Sequence, residues 1–570
     1  MKKQWKLNKE APMVFLNKFP EYSKLTLQLL WDRGLDTQKK IDEFFSPDYD
    51  QDLHDPFLLK DLKKAIKRIE KAGKEKVALF ADYDADGVCG GTIIVEVLKL
   101  FKIKPSVYIP NRNLEGYGLN LNAIKKLHNE GIKLIITTDC GITDFKEVQL
   151  ANKLGIDVLI FDHHEVPEKI PKALAVVNPK QKDCKYPFKF LSGAGVAFKL
   201  AQAVAILKGL DSSWEKWLLD LVAISIATDA MPLLGENRTL MKYGLIVLSK
   251  TKRIGLVALM EKARINPVCN SHTLKTNLSV ETLGFVIGPR INAASRMDHG
   301  DLAFKLLNSN NKEKAKEISE KLERQNKQRQ QLMKKIFEQA RKRVLHGSNK
   351  KFILEGDKDW LAGLAGLVAQ KLKDEFYLPV FIFQVLPNFC TGSVRSMQEI
   401  DVVKVMDRCK SVLFEFGGHP VAAGFKILEK DINKFRELLD KNISDKKLSS
   451  ILEIDVEVNI KDLNFRVFEE IQRFAPFECG FSTKIKNRNS APLFLLKGIS
   501  VLSIRKVGSN GGHLKMYLEK NGKKFDAIGF NLGDFCGKIN TGDKIDIVFE
   551  LIANEWNGSK ELQLKIIDLK

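Results

Sequence analysis

Lys76–Thr92 reads KVALFADYDADGVCGGT, an apolar run that ends in Asp82, Asp84 and Asp86 and turns at Gly87. Alternate side chains of an extended segment project to one side, so three carboxylates within five residues can face one point. Left unneutralised, they would repel one another and take up protons at neutral pH. A divalent ion removes that penalty, and a hard, oxygen-preferring ion such as Mg²⁺ or Mn²⁺ suits these donors. An EF-hand loop also opens D-x-D-x-D-G, but its twelfth position needs a bidentate Glu. Here that position is Ile93, and the residues before Asp82 read as a strand rather than a helix. The plain alternative is a solvated acidic turn, and the chain downstream weighs against it.

From Val77 short apolar strands alternate with amphipathic helices: KVALFAD, PSVYIP, KLIITTD, DVLIFD and ALAVV, with helices near 88–101, 121–130 and 143–154. That alternation predicts a doubly wound parallel sheet. Three strands end in the same chemistry, at Asp82, at Asp139, and at Asp162, His163 and His164. Ligands of open parallel sheets bind beyond the carboxyl ends of the strands, so acids some eighty residues apart can meet there. A lone His on an apolar face is usually a core residue. Two in succession after Asp, at a third acid-tipped strand, read as ligands.

Farther on, SGAGVAFKLAQAVAIL reads as a glycine-rich turn into a helix, and LLDLVAISIATDAMPLLGENR delivers Asp229, either a fourth acidic site or a plain helix end. GFVIGPRINAASRMD sets Arg290 and Arg296 among small residues, where guanidinium groups could reach phosphate. Residues 301–346 predict one long helix, its charges a solvated face or the lining of a basic channel. From Lys351 a second α/β unit is expected, with Ser393 and Arg395 in TGSVRS as phosphate donors. In GGHPVAAG, Gly417 and Gly418 would let a ligand approach the backbone, and a following helix would offer N–H groups to an anion.

From Ile451 strands dominate, and a small β-barrel is expected. Lys506, Lys515, Lys523 and Lys524 lie among Tyr517, Phe525, Phe530 and Trp556, of which about half belong to the core. Basic and aromatic residues on such a barrel suit single-stranded nucleic acid. The first seventy-five residues read as helical and peripheral. Across 570 residues Lys and Arg exceed Asp and Glu by 21, which favours a polyanionic partner. No apolar run suits a membrane span and no signal peptide is evident, so a cytoplasmic protein without a membrane partner is expected. The eight cysteines form no C-x-x-C pair, and Cys89 and Cys140 are read as packing residues.

The ordered motifs DYDADG, TTDCGI, DHH, ATDAMPLLGENR, IGPRINAASRMD, GSVRS and GGHPVAAGF resemble the RecJ single-strand-specific DNA exonucleases of the DHH phosphoesterase superfamily. The resemblance covers nearly the whole chain. It implies a DHH catalytic domain at 76–305 behind an N-terminal helical region at 1–75, a connecting helix at 306–346, a DHH-associated domain at 347–450 and an OB barrel at 451–570. Together these would form a ring or clamp that admits a single strand. It further implies degradation from the 5′ end to mononucleotides with two Mg²⁺ or Mn²⁺ ions, in repair and recombination.

By the same resemblance Asp82, Asp84, Asp86, Asp139, His163 and Asp229 hold the metals. His164 contacts the reacting phosphate, and we take Asp162 with it as catalytic. Arg112, Arg290, Ser393 and Arg395 match positions near the 5′ phosphate, and Gly417, Gly418 and His419 match the associated-domain motif. Arg296, Lys515 and Tyr517 complete the candidate DNA contacts. A monomer is expected, with single-strand-binding protein and a helicase as partners. Three departures stand out: Leu361 where the family usually has His, Ser295 at a customary Gly, and the altered turn between Pro476 and Pro492. The rival readings are a DHH phosphodiesterase for short oligonucleotides or cyclic dinucleotides, against which the barrel and the charge argue, and a non-catalytic strand-binding scaffold.

Overall fold

The computed structural model describes residues 3–570 apart from 212, 271–274, 348–350, 445–448, 479–488, 509 and 557–558, and of residues 555, 556 and 559 the backbone alone. The chain divides into two compact units. One is Asp48–Leu448, and the other joins Lys2–Pro47 to Ser449–Glu478 and Lys484–Lys570. Much of the altered turn between Pro476 and Pro492, and the side chain of Trp556, lie outside the described residues.

The first unit opens on the acid-tipped sheet. Strands Val77–Ala81, Ser106–Tyr108, Leu134–Thr138, Asp157–Phe161 and Ala175–Val177 are all parallel, in the spatial order second, first, third, fourth, fifth. Both faces are covered, which is why these strands read as unbroken apolar runs. Val77, Leu79 and Ala81 pack into one core with helices Ala85–Lys99 and Gly193–Lys208. Ala78 and Phe80 point the other way, into a core with helices Leu121–Asn129 and Phe145–Lys153. The strand order reverses between Val77–Ala81 and Leu134–Thr138, the switch point at which doubly wound sheets open a crevice. Asp82 and Asp139 follow those two strands directly.

The helix predicted over 301–346 is two helices, Asp301–Leu307 and Lys312–His346. Between them lies Asn-Ser-Asn-Asn, whose side chains compete with the helical backbone for hydrogen bonds. Asn311 accepts from the Lys314 amide at 2.7 Å and restarts the helix as its N-cap. The long second helix joins two domains through shared cores. Ala315, Ile318 and Leu322 pack with the parallel sheet, and Ile336 and Ala340 pack against helix Ala362–Phe376.

The domain after it has the sheet Leu413–His419, Ala422–Ile427, Cys390–Arg395, Val380–Val385 and Ile353–Asp357, in that spatial order. Here the reading of GGHPVAAG is corrected, because no helix follows the glycines. Gly417, Gly418 and His419 pair antiparallel with Gly424, Ala423 and Ala422, and Pro420 and Val421 make the turn. Ala423, Phe425 and Ile427 alternate as the buried face, a period of two that a helix cannot satisfy.

The second unit holds a closed barrel of Phe494–Val507, His513–Lys520, Lys523–Gly529, Lys544–Trp556 and Ser559–Leu569. Its first strand pairs with both its second and its fourth. The segment Ile451–Ile454 stands outside the barrel and pairs in parallel with Gln4–Leu7, a strand within the stretch expected to be helical. Helices Met13–Lys18, Lys24–Asp32 and Gln38–Phe45 belong to this unit, whereas Leu62–Ala72 packs on the parallel sheet. Among the described residues no helix is long and apolar enough to cross a membrane.

Candidate metal centre and anion pocket

The sheet and the helices that follow it converge on one acidic cavity. Asp84 caps helix Ala85–Lys99, accepting from the amides of Asp86 and Gly87 at 2.9 and 3.2 Å. Asp86 is held by the start of helix Gly193–Lys208, from the Gly193 and Ala194 amides at 2.7 Å each, and by the Ser225 hydroxyl at 2.6 Å. Asp139 has φ of 62°, a left-handed backbone that Asp tolerates better than most residues. Asp229 ends helix Leu219–Thr228, and its side chain is 37% exposed at the rim.

Among the described residues, potential ligand atoms fall into three overlapping groups: Asp82 with Asp84 and Asp139, Asp86 with His163 and Asp229, and Asp139 with His163 and His164. Within each group they lie inside 4.8 Å of one another. The cavity is short of protons and donors. Among the described residues, buried Asp82 Oδ1, Asp139 Oδ1 and both ring nitrogens of His163 have no hydrogen-bond partner. Burial, then neighbouring carboxylates, push the Asp82 and Asp139 carboxyls well above their ordinary value and raise Asp84. His163 Nε2 lies 3.1 Å from Asp139 and 3.6 Å from Asp86 and from Asp229, yet burial and the charge of His164 bring its pKa down to about 4. It is therefore a neutral lone-pair donor and not an ion-pair partner. Clustered carboxylates, a neutral imidazole and orphaned buried lone pairs are a donor set that divalent ions complete.

His164 differs from its neighbour because of Asp162. That fully buried carboxylate accepts from the amides of Ile142, His163 and His164, and lies 2.8 Å from His164 Nδ1. Burial pulls His164 down, but the hydrogen bond and charge of Asp162 outweigh it and lift the ring to about 9. Burial raises Asp162, and its bond to His164 overrides that and holds it below the usual carboxylate range. Tyr117, which the sequence reading did not single out, also reaches this ring. Its hydroxyl lies 3.1 Å from His164 Nδ1 and donates to the Asp139 carbonyl at 2.9 Å.

Beside the acids is a pocket of guanidinium groups from four elements: Arg112 from the loop after Ser106–Tyr108, Arg296 from helix Gly288–Met297, Arg329 from Lys312–His346 and Arg395 from Cys390–Arg395. Burial, then the charges of Arg112, Arg329 and Arg395, lower Arg296 far below its ordinary value. Arg395 is brought down to about 10 by burial and by Arg112. Guanidinium groups stay charged, so such a cluster calls for an anion. Ser393 shares the Arg395 face of its strand, and the register sets His419, Ala422 and Arg395 in one row across three strands. Arg329 was missed because one arginine in a charged helix carries no signal. Arg290 donates to Glu323 at 2.7 Å and to the Val286 carbonyl at 2.7 Å, and its charge acts on Arg329.

On the barrel, Lys515 pairs with Asp526 at 2.9 Å, Tyr517 and Phe530 are exposed, and Phe525 is buried in the core.

Two glycines let these elements close. A Cβ at Gly87 would lie 2.5 Å from the Asp82 carbonyl oxygen, and one at Gly193 would lie 2.7 Å from Asp139 Cβ. Gly193→Ala therefore forces Asp139 aside, at a cost of roughly 1–3 kcal/mol for overpacking. We expect a lower melting temperature and, by calorimetric titration, weaker Mn²⁺ binding than in the unsubstituted protein.

A parallel sheet with D-x-D-x-D, TTD and DHH at its strand tips defines a DHH-family domain. Residues 76–226 match the DHH family, N-terminal domain, 349–445 the DHHA1 domain and 454–568 the RecJ OB domain. The chain is 34% identical over 553 residues to the single-stranded-DNA-specific exonuclease RecJ of Bacillus subtilis, covering 95% of this chain and 67% of that protein. It is 30% identical to the same enzyme of Haemophilus influenzae, covering 90% and 91%. The crystal structure of RecJ with Mn²⁺ from Thermus thermophilus superposes with a TM-score of 0.83 at 26% identity, over all of this chain and 79% of that one. The chain belongs to the RecJ family of single-stranded-DNA-specific exonucleases.

Proposed function

We propose that this protein degrades single-stranded DNA from the 5′ end to mononucleotides by metal-dependent phosphodiester hydrolysis, in DNA repair and recombination. The observation that carries the reading is the juxtaposition of a donor set for divalent ions with a guanidinium pocket for a terminal phosphate. In this reading Asp82, Asp84, Asp86, Asp139, His163 and Asp229 hold two Mn²⁺ or Mg²⁺ ions. Such ions polarise phosphoryl oxygens and make a nucleophile available at neutral pH. His164, protonated and aligned by Asp162, turns Nε2–H toward a phosphoryl oxygen and steadies the charge that develops there. Arg112, Arg290, Arg296, Arg395 and Ser393 bind the 5′ phosphate, with Arg329 behind them. Gly417, Gly418 and His419 border that pocket, and Lys515 and Tyr517 hold the strand by charge and stacking.

The domain boundaries 76–305, 306–346, 347–450 and 451–570, behind an N-terminal region at 1–75, belong to the same proposal. So do a monomeric state, a cytoplasmic setting, and partnership with single-strand-binding protein and a helicase. The test gives end-labelled single and double strands to the purified protein with Mn²⁺, Mg²⁺ or EDTA. Mononucleotides released from 5′ ends of single strands, and lost with EDTA, are the expected result. Degradation of duplex alone, or undiminished release in EDTA, would overturn it.

A further inference from the structure

Arg112 and Tyr117 reach the site from one loop, residues 109–118, whose far end Tyr117 ties down through its bond to the Asp139 carbonyl. Arg112 lies over the Tyr83 ring at 4.9 Å, and Tyr117 meets His164. Between them Glu115 turns away from the cavity and makes three bonds. Its Oε2 accepts from the Asn111 amide at 2.6 Å, and its Oε1 accepts from the Tyr108 hydroxyl at 2.5 Å and from Asn120 Nδ2 at 3.1 Å. Tyr108 ends the edge strand Ser106–Tyr108, and Asn120 caps helix Leu121–Asn129, so one carboxylate ties the loop to rigid elements on both sides. The Glu115 amide in turn donates to the Asn111 carbonyl at 2.8 Å, which closes the turn on itself.

Packing holds the ends of the loop, where Ile109, Pro110 and Gly118 are buried, but not its middle. A cleft of about 600 Å³ opens against Tyr108, Glu115, Lys126, His299 and Phe304, and neither Arg112 nor Tyr117 lines it. Leu114 at the tip is 84% exposed. The middle of the loop therefore has room to fall back from the site, and hydrogen bonds hold it forward.

We infer that Glu115 is a positioning residue: it latches loop 109–118 so that Arg112 faces the anion pocket and Tyr117 faces His164, and its loss uncouples both from the metal centre. The inference rests on the exonuclease reading for its kinetic consequences and on geometry alone for its structural one.

The experiment compares the full-length protein with Glu115→Ala, Glu115→Gln and Tyr108→Phe. Hydrogen exchange of residues 109–118 should quicken in Glu115→Ala and stay unchanged in the parallel sheet. On 5′-phosphorylated single strands Glu115→Ala should raise KM by roughly tenfold or more and lower kcat, since ångström-scale misplacement of a positioning group costs up to about 100-fold. Its preference for 5′-phosphate over 5′-hydroxyl ends should shrink toward unity. Glu115→Gln keeps one acceptor oxygen and should fall between, as should Tyr108→Phe, which removes one of the three bonds. Unaltered exchange in the loop overturns the inference. So does an equal loss in Ala and Gln variants that leaves the end preference intact and follows only a lower melting temperature. Should the unsubstituted protein release nothing from single strands, the exonuclease reading fails, and the exchange measurement still decides the role of Glu115.

Discussion

Asp139→Asn should abolish hydrolysis and yet melt, without metal, above the unsubstituted protein. Asp139 is fully enclosed, and burial and then the charges of Asp86, Asp84, Asp82 and Asp229 raise its carboxyl well above the ordinary value. An acid whose folded pKa is raised loses stability as pH climbs past its unfolded value, because ionisation costs more in the folded state. At neutral pH that cost falls on the metal-free protein, and an amide of the same shape removes it. Asn also tolerates the left-handed backbone at this position, so no strain is added. The same change takes an oxygen from two of the three ligand groups. Loss of several kcal/mol of transition-state stabilisation corresponds to roughly 10³-fold or more in rate. Thermal melts with and without Mn²⁺, beside a single-turnover assay, check both halves: a smaller Mn²⁺-induced rise, a higher metal-free midpoint and no product. A metal-free midpoint that falls would refute the electrostatic account.

The second large effect belongs to the other half of the site. Arg395→Ala should lower kcat/KM on 5′-phosphorylated strands by roughly 10–100-fold, as expected for a lost charge-assisted hydrogen bond of about 1.5–3 kcal/mol. On 5′-hydroxyl strands the loss should be much smaller. The metal-free protein should not be weakened by removal of the charge, since Arg395 is held among like charges and its guanidinium donates to the carbonyl of the adjacent Val394. Equal losses on both kinds of end would remove Arg395 from terminal-phosphate binding.

The parallel sheet and its acids were legible because one physical rule covers them: strands buried on both faces are continuously apolar, so a charged residue at the end of one is conspicuous. Asp82, Asp139 and the Asp162–His164 run all announce themselves in this way. Asp229 did not, since a helix that ends in Asp looks the same whether or not the carboxylate meets anything; the resemblance alone supplied it. Arg290 shows the reverse. A guanidinium among small residues is visible as a phosphate candidate, whereas its pairing with Glu323 in another helix is revealed by no local pattern. Tyr117 and Arg329 stayed hidden for the same reason, as their roles exist only once distant elements are packed. GGHPVAAG misled because glycines serve hairpins as readily as helix starts, and the alternation in AAGFKI was the stronger cue.

The pairing of Gln4–Leu7 with Ile451–Ile454, and the bond from Trp5 Nε1 to Asp568, have a consequence in time. The catalytic unit is an insertion within the barrel unit, since residues 2–47 cluster with chain beyond residue 448. On a ribosome moving at about 5–20 residues per second, the N-terminal segment waits roughly 20–80 s for the chain that will cover it. During that interval Phe15, Leu27, Leu29 and Leu30, all buried in the finished protein, have no barrel unit to join. The nuclease half can therefore be complete and folded while the half that closes the chain's two ends is still being made.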